Sequence, residues 1–242
     1  MSGDNFFSLW VYLSRTPLLW LSVTLIAYAV ADRFSAATGR HPLANPVLHA
    51  VWMIALLLAL SGTPYKTYFE GAQFVHFMLG PATVALALPL YQNRRVVARA
   101  IAPMLAALVA GSLTALVSAV TIVKLFSVPQ TIIASIAPKS VTAGVAMGIA
   151  SELGGDAALA AVLVILTGIF GAIIVTPLLT LFGIRDWRAR GFAAGLASHG
   201  IGTARAFQVN SVAGTFAAIA LALNALMTAI IMPPVLGYLL GR

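Results

Sequence analysis

Hydrophobic and polar positions along this chain sort into long apolar runs divided by short, punctuated gaps. The runs fall at 6–31, 43–61, 73–90, 101–123, 131–151, 157–182, 190–209 and 211–240. Within them apolar residues are nearly continuous, without the alternation of barrel strands. About 20 helical residues at 1.5 Å each cross a hydrocarbon core of about 30 Å. The pattern predicts an all-α polytopic membrane protein with about seven to eight hydrophobic segments. Gly62-Thr63-Pro64, Gln92-Asn93-Arg94-Arg95 and Gly154-Gly155-Asp156 mark some of the gaps. Links this short predict that consecutive helices pack as antiparallel neighbours.

The runs at 101–123 and 157–182 read as plain spans, whereas three others are interrupted. The run at 73–90 holds Gly80-Pro81 and Pro89, that at 131–151 holds Pro138, Gly144 and Gly148, and that at 190–209 holds Gly191, Gly195, Gly200 and Gly202. Proline removes a backbone donor and glycine weakens a helix. Broken backbone at membrane depth is tolerated only where protein or a wet cavity satisfies it. The breaks therefore predict broken or re-entrant helices around a midplane site. Pro81-Ala82-Thr83-Val84 also resembles Pro138-Lys139-Ser140-Val141, and Gly111 has a counterpart in Gly168, a weak internal repeat of 79–126 onto 136–183.

Composition narrows the class. The chain has 242 residues, 61% hydrophobic and 8% charged, with no polar stretch long enough for a soluble domain. One membrane domain over 1–242 is expected. The net charge of +8 does not imply nucleic acid, because most of the basic residues sit in or beside the gaps. There they report topology. With Arg33, Arg40, Arg94, Arg95, Arg99, Arg185, Arg188, Arg190 and Arg242 all cytoplasmic, the 131–151 run enters and leaves on the outer side as a re-entrant hairpin turning near Pro138-Lys139-Ser140; the alternative, a spanning 131–151, puts the Arg185–Arg190 loop outside, against the rule. The 190–209 run then crosses, the amino terminus lies outside and the carboxy terminus inside. Met1 to Asn5 lacks the basic start of a secretory signal, so the first run is expected to be retained.

The same inventory argues against enzymes. There is no cysteine, and the four histidines are scattered. No metal site or cofactor is expected. Asp4, Asp32, Glu70, Glu152, Asp156 and Asp186 all fall in or beside gaps, leaving no acid to orient a Ser–His pair. No phosphate-binding G-x-x-x-x-G-K-[ST] loop is present.

Ionisable residues inside apolar runs are expensive and mark function. Lys139 and Arg205 are two such cations, with no acid in any run to neutralise them. They predict a site for an anion. A half-helix starting at Pro138 would aim free N–H groups and its dipole at that anion, with Ser140 and Thr142 as hydroxyl donors. Gly200 and Gly202 permit unwound backbone, Thr203 would cap the resumed helix, and Arg205 offers a fork that matches a carboxylate. His199 can donate or titrate. Pro81 and Thr83 would supply backbone donors or a hinge opposite. Asn224 is a candidate too, although polar residues in such runs usually bond a neighbouring helix. The competing explanation has Lys139 and Arg205 snorkelling to an interface and His199 as a packing residue. Gly191 and Gly195 are spaced for close helix packing, and Trp10, Trp20 and Trp52 read as interfacial anchors.

Phe69-Glu70-Gly71-Ala72-Gln73, Leu79-Gly80-Pro81-Ala82-Thr83-Val84, Ala137-Pro138-Lys139-Ser140-Val141-Thr142, Leu166-Thr167-Gly168-Ile169-Phe170-Gly171-Ala172 and Ser198-His199-Gly200-Ile201-Gly202-Thr203-Ala204-Arg205 together resemble the LrgB/CidB family, in order and over nearly the whole chain. One departure is Ala143-Gly144, where the family commonly has Thr-Pro. The resemblance implies a multi-pass protein of the bacterial inner membrane. It implies transport of a small monocarboxylate or 2-hydroxy acid of the glycolate, glycerate, lactate or pyruvate class. The alternative is a holin- or antiholin-like component that regulates murein hydrolase export and lysis. Implied partners are the carboxylate, an LrgA- or CidA-like small membrane protein and the bilayer. Glycine-rich faces are compatible with a homo-oligomer.

Overall fold

The computed structural model describes residues 16–85 and 87–240, with backbone alone at 76, 79, 80, 82, 83, 87, 89, 90, 239 and 240. Residues 6–15 of the first run with Trp10, the side chain of Thr83, and Arg242 lie outside the described residues. The chain divides into two compact units, Met1–Ala85 and Leu86–Arg242.

In the first unit α1 (Pro17–Ala37) packs against α2 (Pro46–Ser61) and α3 (Tyr65–Ala85). Asn45 caps α2 by accepting from the Val47 and Leu48 amides, and Gly62 ends it at φ 64°. Gly71 brings α3 onto α1 so closely that a Cβ there would meet the Pro17 carbonyl. Trp20 is fully buried, edge-on to Tyr68, so it is a packing residue and not the interfacial anchor expected. The break expected at Gly80-Pro81 is also absent, since α3 continues through Pro81 to Ala85. A single proline forfeits one helical hydrogen bond. The apolar sequence on both sides keeps the rest helical.

The second unit holds α4 (Ala87–Gln92), α5 (Arg94–Arg99), α6 (Ile101–Leu125), α7 (Gln130–Ile136), α8 (Ala143–Glu152), α9 (Ala157–Leu181), α10 (Trp187–Val209) and α11 (Ser211–Leu240). Among the described residues α1, α6, α9 and α11 are long and apolar enough to cross a membrane. The plain spans expected at 101–123 and 157–182 are α6 and α9.

Between α6 and α9 the chain makes a re-entrant hairpin, as the charge pattern requires. α7 has 7 residues and α8 has 10, each far short of a span. Ile133 of α7, Ala137 just after it and Ile149 of α8 share one cluster with Leu116 and Val120 near the end of α6. Ser135 of α7 accepts from the Asp156 amide just after α8, at 2.8 Å. Both arms therefore return to the side from which they entered.

The second hairpin corrects the expected topology. α10 is interrupted at His199, whose backbone (φ 42°, ψ −132°) is not helical. In its first arm Gly191 and Gly195 lie on Ala213 and Ala217 of α11, where a Cβ would stand 2.0 Å from each carbonyl oxygen. Residue numbers rise together along this seam, so the first arm and α11 run parallel from the same face. The second arm must fold back to that face. It does so with Ala206 packed among Ala194, Ala213 and Ala217. Gly202 permits this close return, since a Cβ there would stand 2.5 Å from the Ala194 carbonyl oxygen. The 190–209 run thus does not cross, and α11 runs away from the arginine face. The end of α11 lies opposite that face, not on it as expected. Arg99 and Arg188 rim one cavity, which places both arginine clusters on a common face. The positive-inside rule makes that face cytoplasmic.

Candidate functional site

Two hairpins entering from opposite faces bring their tips, 137–142 and 198–200, to the middle of the second unit. Each tip is fastened by the spanning helix that follows the other hairpin. On α11, Asn224 donates from Nδ2 to the Ser140 carbonyl at 2.9 Å and to the Leu196 carbonyl at 3.2 Å. Its Oδ1 accepts from Ser112 of α6 at 2.7 Å. Asn224 is 1% exposed. With its polar atoms engaged inside the protein, it holds the two hairpins, and with Pro138 and Ser140 it lines a small cavity of about 20 Å³.

On α9, the Val164 carbonyl meets His199 Nε2 at 2.8 Å. A carbonyl only accepts, so Nε2 carries the hydrogen. His199 reaches it because Gly168 has no side chain; a Cβ there would stand 2.5 Å from Nε2. Gly171, one turn further, lies under Ser198, where a Cβ would stand 1.8 Å from Oγ. The Gly168–Gly171 pair is thus a seat for the second tip. His199 holds a left-handed backbone that a non-glycine residue keeps only at a cost of about 1–3 kcal/mol, offset by this seating.

The expected half-helix start at Pro138 is displaced. Residues 137–142 form the turn, α8 begins at Ala143, and Thr142 is its N-cap without a side-chain cap bond. Pro138 is buried in that turn. The reason is local: the Lys139 amide bonds back to the Ile136 carbonyl and the Val141 amide to the Pro138 carbonyl, which closes tight turns before a helix can start. Lys139 is half-buried, and its Nζ donates to Ser140 Oγ at 3.3 Å. Thr203, expected as a cap, donates back to the His199 carbonyl at 2.8 Å. Gly200 has open space where a Cβ would point, and Gly202 serves the return of the second arm.

Lys139 and Ser198 line a cavity of about 540 Å³ against α9, walled by Leu163, Leu166, Thr167 and Phe170 among others. None of its lining residues is acidic. Ser198 Oγ is buried without a hydrogen-bond partner. Thr167 donates to the Leu163 carbonyl at 2.7 Å, so its donor is used. The charged function at this wall is the Lys139 ammonium, and the unpartnered Ser198 hydroxyl is buried beside it on the opposite hairpin.

Arg205 is 8% exposed and lines a different cavity, with Thr176 and Arg190, on the arginine side of the tips. That space is about 20 Å³, room for one water and not a carboxylate. The two cavities share Val175 and Leu179 as walls. Arg190 closes the end of α9, donating to the Thr176 carbonyl and Thr180 Oγ1 at 3.0 Å each. Pro81 is exposed on α3 of the first unit. No cluster of three metal-ligating side chains occurs among the described residues.

Sequence reasoning missed Ser198, Gly168 and Gly171 as site residues. The signal available was the i, i+3 glycine spacing in an otherwise unbroken span, which marks close approach by another element.

A profile of the LrgB-like family matches residues 24–238. A relative from Staphylococcus epidermidis, "Holin-like protein CidB", is 31% identical over 89% of this chain and 94% of its own length. "Uncharacterized protein YwbG" of Bacillus subtilis is 35% identical over 81% of this chain and 87% of its own. "Holin-like protein CidB" of Staphylococcus aureus is 29% identical over 89% and 94%. No solved structure matches the chain.

Proposed function

The chain belongs to the LrgB-like family, and from that premise we propose that it moves small organic anions across a membrane by alternating access. The observation that carries this reading is the cavity where Lys139 of one hairpin and Ser198 of the other face the same acid-free space. An ammonium in such surroundings gains its counter-charge from a ligand, and a monocarboxylate or 2-hydroxy acid supplies one charge plus a group for the Ser198 hydroxyl, which is buried and unpartnered in this conformation. Lys139 and Ser198 hold the carboxylate. Ser140 and Thr142 support Lys139, and Gly200, Thr203 and His199 shape the opposite tip. Pro138 sets the turn. Arg205 adds positive potential from the cytoplasmic side without direct contact in this conformation.

The test is uptake of labelled glycolate, glycerate, lactate and pyruvate into proteoliposomes. A hydrogen bond to a charged group contributes roughly 1.5–3 kcal/mol, so Lys139→Ala weakens apparent affinity on the order of ten- to a hundredfold. Equal uptake by wild type and a Lys139→Ala, Arg205→Ala double variant removes the site from consideration.

The names of the Staphylococcus relatives favour a second reading, a holin-like component that permeabilises the membrane or regulates lysis, with an LrgA- or CidA-like partner. Saturable flux with competition among carboxylates supports the transporter; conductance without competition supports the channel.

A further inference from the structure

Where α10 meets α11, small residues let the helices touch through Gly191 and Gly195. Where α10 meets α6, small residues again face one another, Ala107 and Gly111 on α6 and Ala189 and Ala193 on α10, yet the helices stay apart. They come close at the bottom, where a Cβ on Gly111 would stand 2.5 Å from a Leu196 methyl. Above that point lies a wedge of about 570 Å³. Its walls are the apolar faces of Met104, Phe192 and Phe216, all well buried in one packed cluster. Its mouth carries Arg99, Arg188 and Asp186. Asp186 and Arg188 pair with each other at 2.5 Å, which leaves the charge of Arg99 uncompensated by any acid among the described residues.

An apolar hollow of this size within a bilayer is filled by what surrounds it, and its dimensions match one constituent. From Ile101, just after Arg99, to Gly111 α6 rises roughly 15 Å at 1.5 Å per residue. Half a hydrocarbon core is roughly 15 Å. The wedge therefore runs from headgroup depth to the bilayer midplane, with a cation at the headgroup end. Basic pockets between spanning helices on the cytoplasmic side are the kind that take anionic headgroups. We propose that this wedge is a binding site for an anionic phospholipid of the cytoplasmic leaflet, with an acyl chain along Met104 and Phe192 and a phosphate at Arg99. The site is independent of the carboxylate cavity and does not rest on the transport reading.

The purified full chain is incubated with phosphatidylglycerol or phosphatidylcholine carrying a photoreactive acyl chain, and adducts are mapped by peptide mass spectrometry. The expected result is adducts at Met104 and Phe192, more with phosphatidylglycerol than with phosphatidylcholine. Arg99→Gln, an exposed substitution that leaves the core untouched, reduces that preference about fivefold, one basic residue's share of the attraction to an anionic lipid. Ala107→Trp fills the wedge and abolishes these adducts for both lipids, while adducts on the exposed face of α9 persist as a check on folding. Lys139→Ala changes neither. Equal labelling by the two lipids, no effect of Arg99→Gln, or chain-to-chain cross-links in place of lipid adducts would overturn the assignment.

Discussion

Adding one methyl group at Gly168 tests the seating of the second hairpin directly. In Gly168→Ala the new Cβ stands 2.5 Å from both Cε1 and Nε2 of His199. Ordinary carbon contacts sit at about 3.5–4.0 Å, so the imidazole must retreat by about 1 Å or more. That breaks its 2.8 Å bond to the Val164 carbonyl. Leaving a buried donor unsatisfied costs about 1–3 kcal/mol, and forcing a methyl into a packed seat costs about 1–3 kcal/mol. Alanine returns about 1 kcal/mol of helix propensity. The net is a destabilisation of about 1–5 kcal/mol, read as a lower melting temperature of the purified protein in detergent. Gly148→Ala in α8 is the control, because nothing lies within 4 Å of its Cβ position; it gains the propensity alone and melts no lower than wild type. In a double-mutant cycle with His199→Ala, the truncated side chain vacates the contested space, so the double variant is less destabilised than the sum by about 1 kcal/mol or more. If Gly168→Ala melts like Gly148→Ala, or the cycle shows no coupling, His199 is not seated as described.

Asn224→Leu strips partners from the Ser140 and Leu196 carbonyls and from Ser112, and lowers stability by roughly 2–5 kcal/mol; Asn224→Asp, which keeps the acceptor for Ser112, still fails to restore donation to both hairpins. Thermal unfolding checks both. Because the chain has no cysteine, single cysteines map its topology without background: Ser127→Cys and Gly154→Cys react with an impermeant thiol reagent from one face and Gly183→Cys from the other. Labelling of Gly154→Cys and Gly183→Cys from the same face contradicts a spanning α9. Arg188 beside Asp186 holds that carboxyl down to about 2, below its ordinary 3.8. The contribution of the pair is therefore whole above pH about 4 and is lost as pH falls through about 2. Being exposed and screened by solvent, the pair contributes little, so Asp186→Asn and wild type differ slightly in melting temperature at neutral pH and converge in strong acid.

The existence of the apolar helices, the plain character of α6 and α9, and the turn around Pro138 were legible because each has a local cause: length, continuity or a missing donor. The arginine loops also constrained the first hairpin correctly, since they set the parity of the crossings between them. The same parity argument failed at α10. Gly200 and Gly202 signal an interruption, but whether an interrupted segment crosses or returns depends on what its arms pack against. That was decided by Gly191 and Gly195 lying on Ala213 and Ala217, a pairing of two elements that no periodicity within either one announces. Pro81 failed in the other direction, as a proline inside an otherwise strong helix is not sufficient to end it. Of the candidate site, Lys139 stood out by charge alone. Ser198 did not, because a serine in an apolar run is unremarkable until the fold leaves its hydroxyl buried without a partner.

The fastening of the first hairpin tip by Asn224 also orders how the molecule can come into being. The Ser140 carbonyl waits for a partner that the ribosome adds more than eighty residues later, within α11. Until then the short arms of that hairpin, too brief to span, have only α6 and α9 to lean on. Closure of the centre thus has to await synthesis of α11, and a nascent chain stalled before residue 224 would leave the first hairpin tip unfastened.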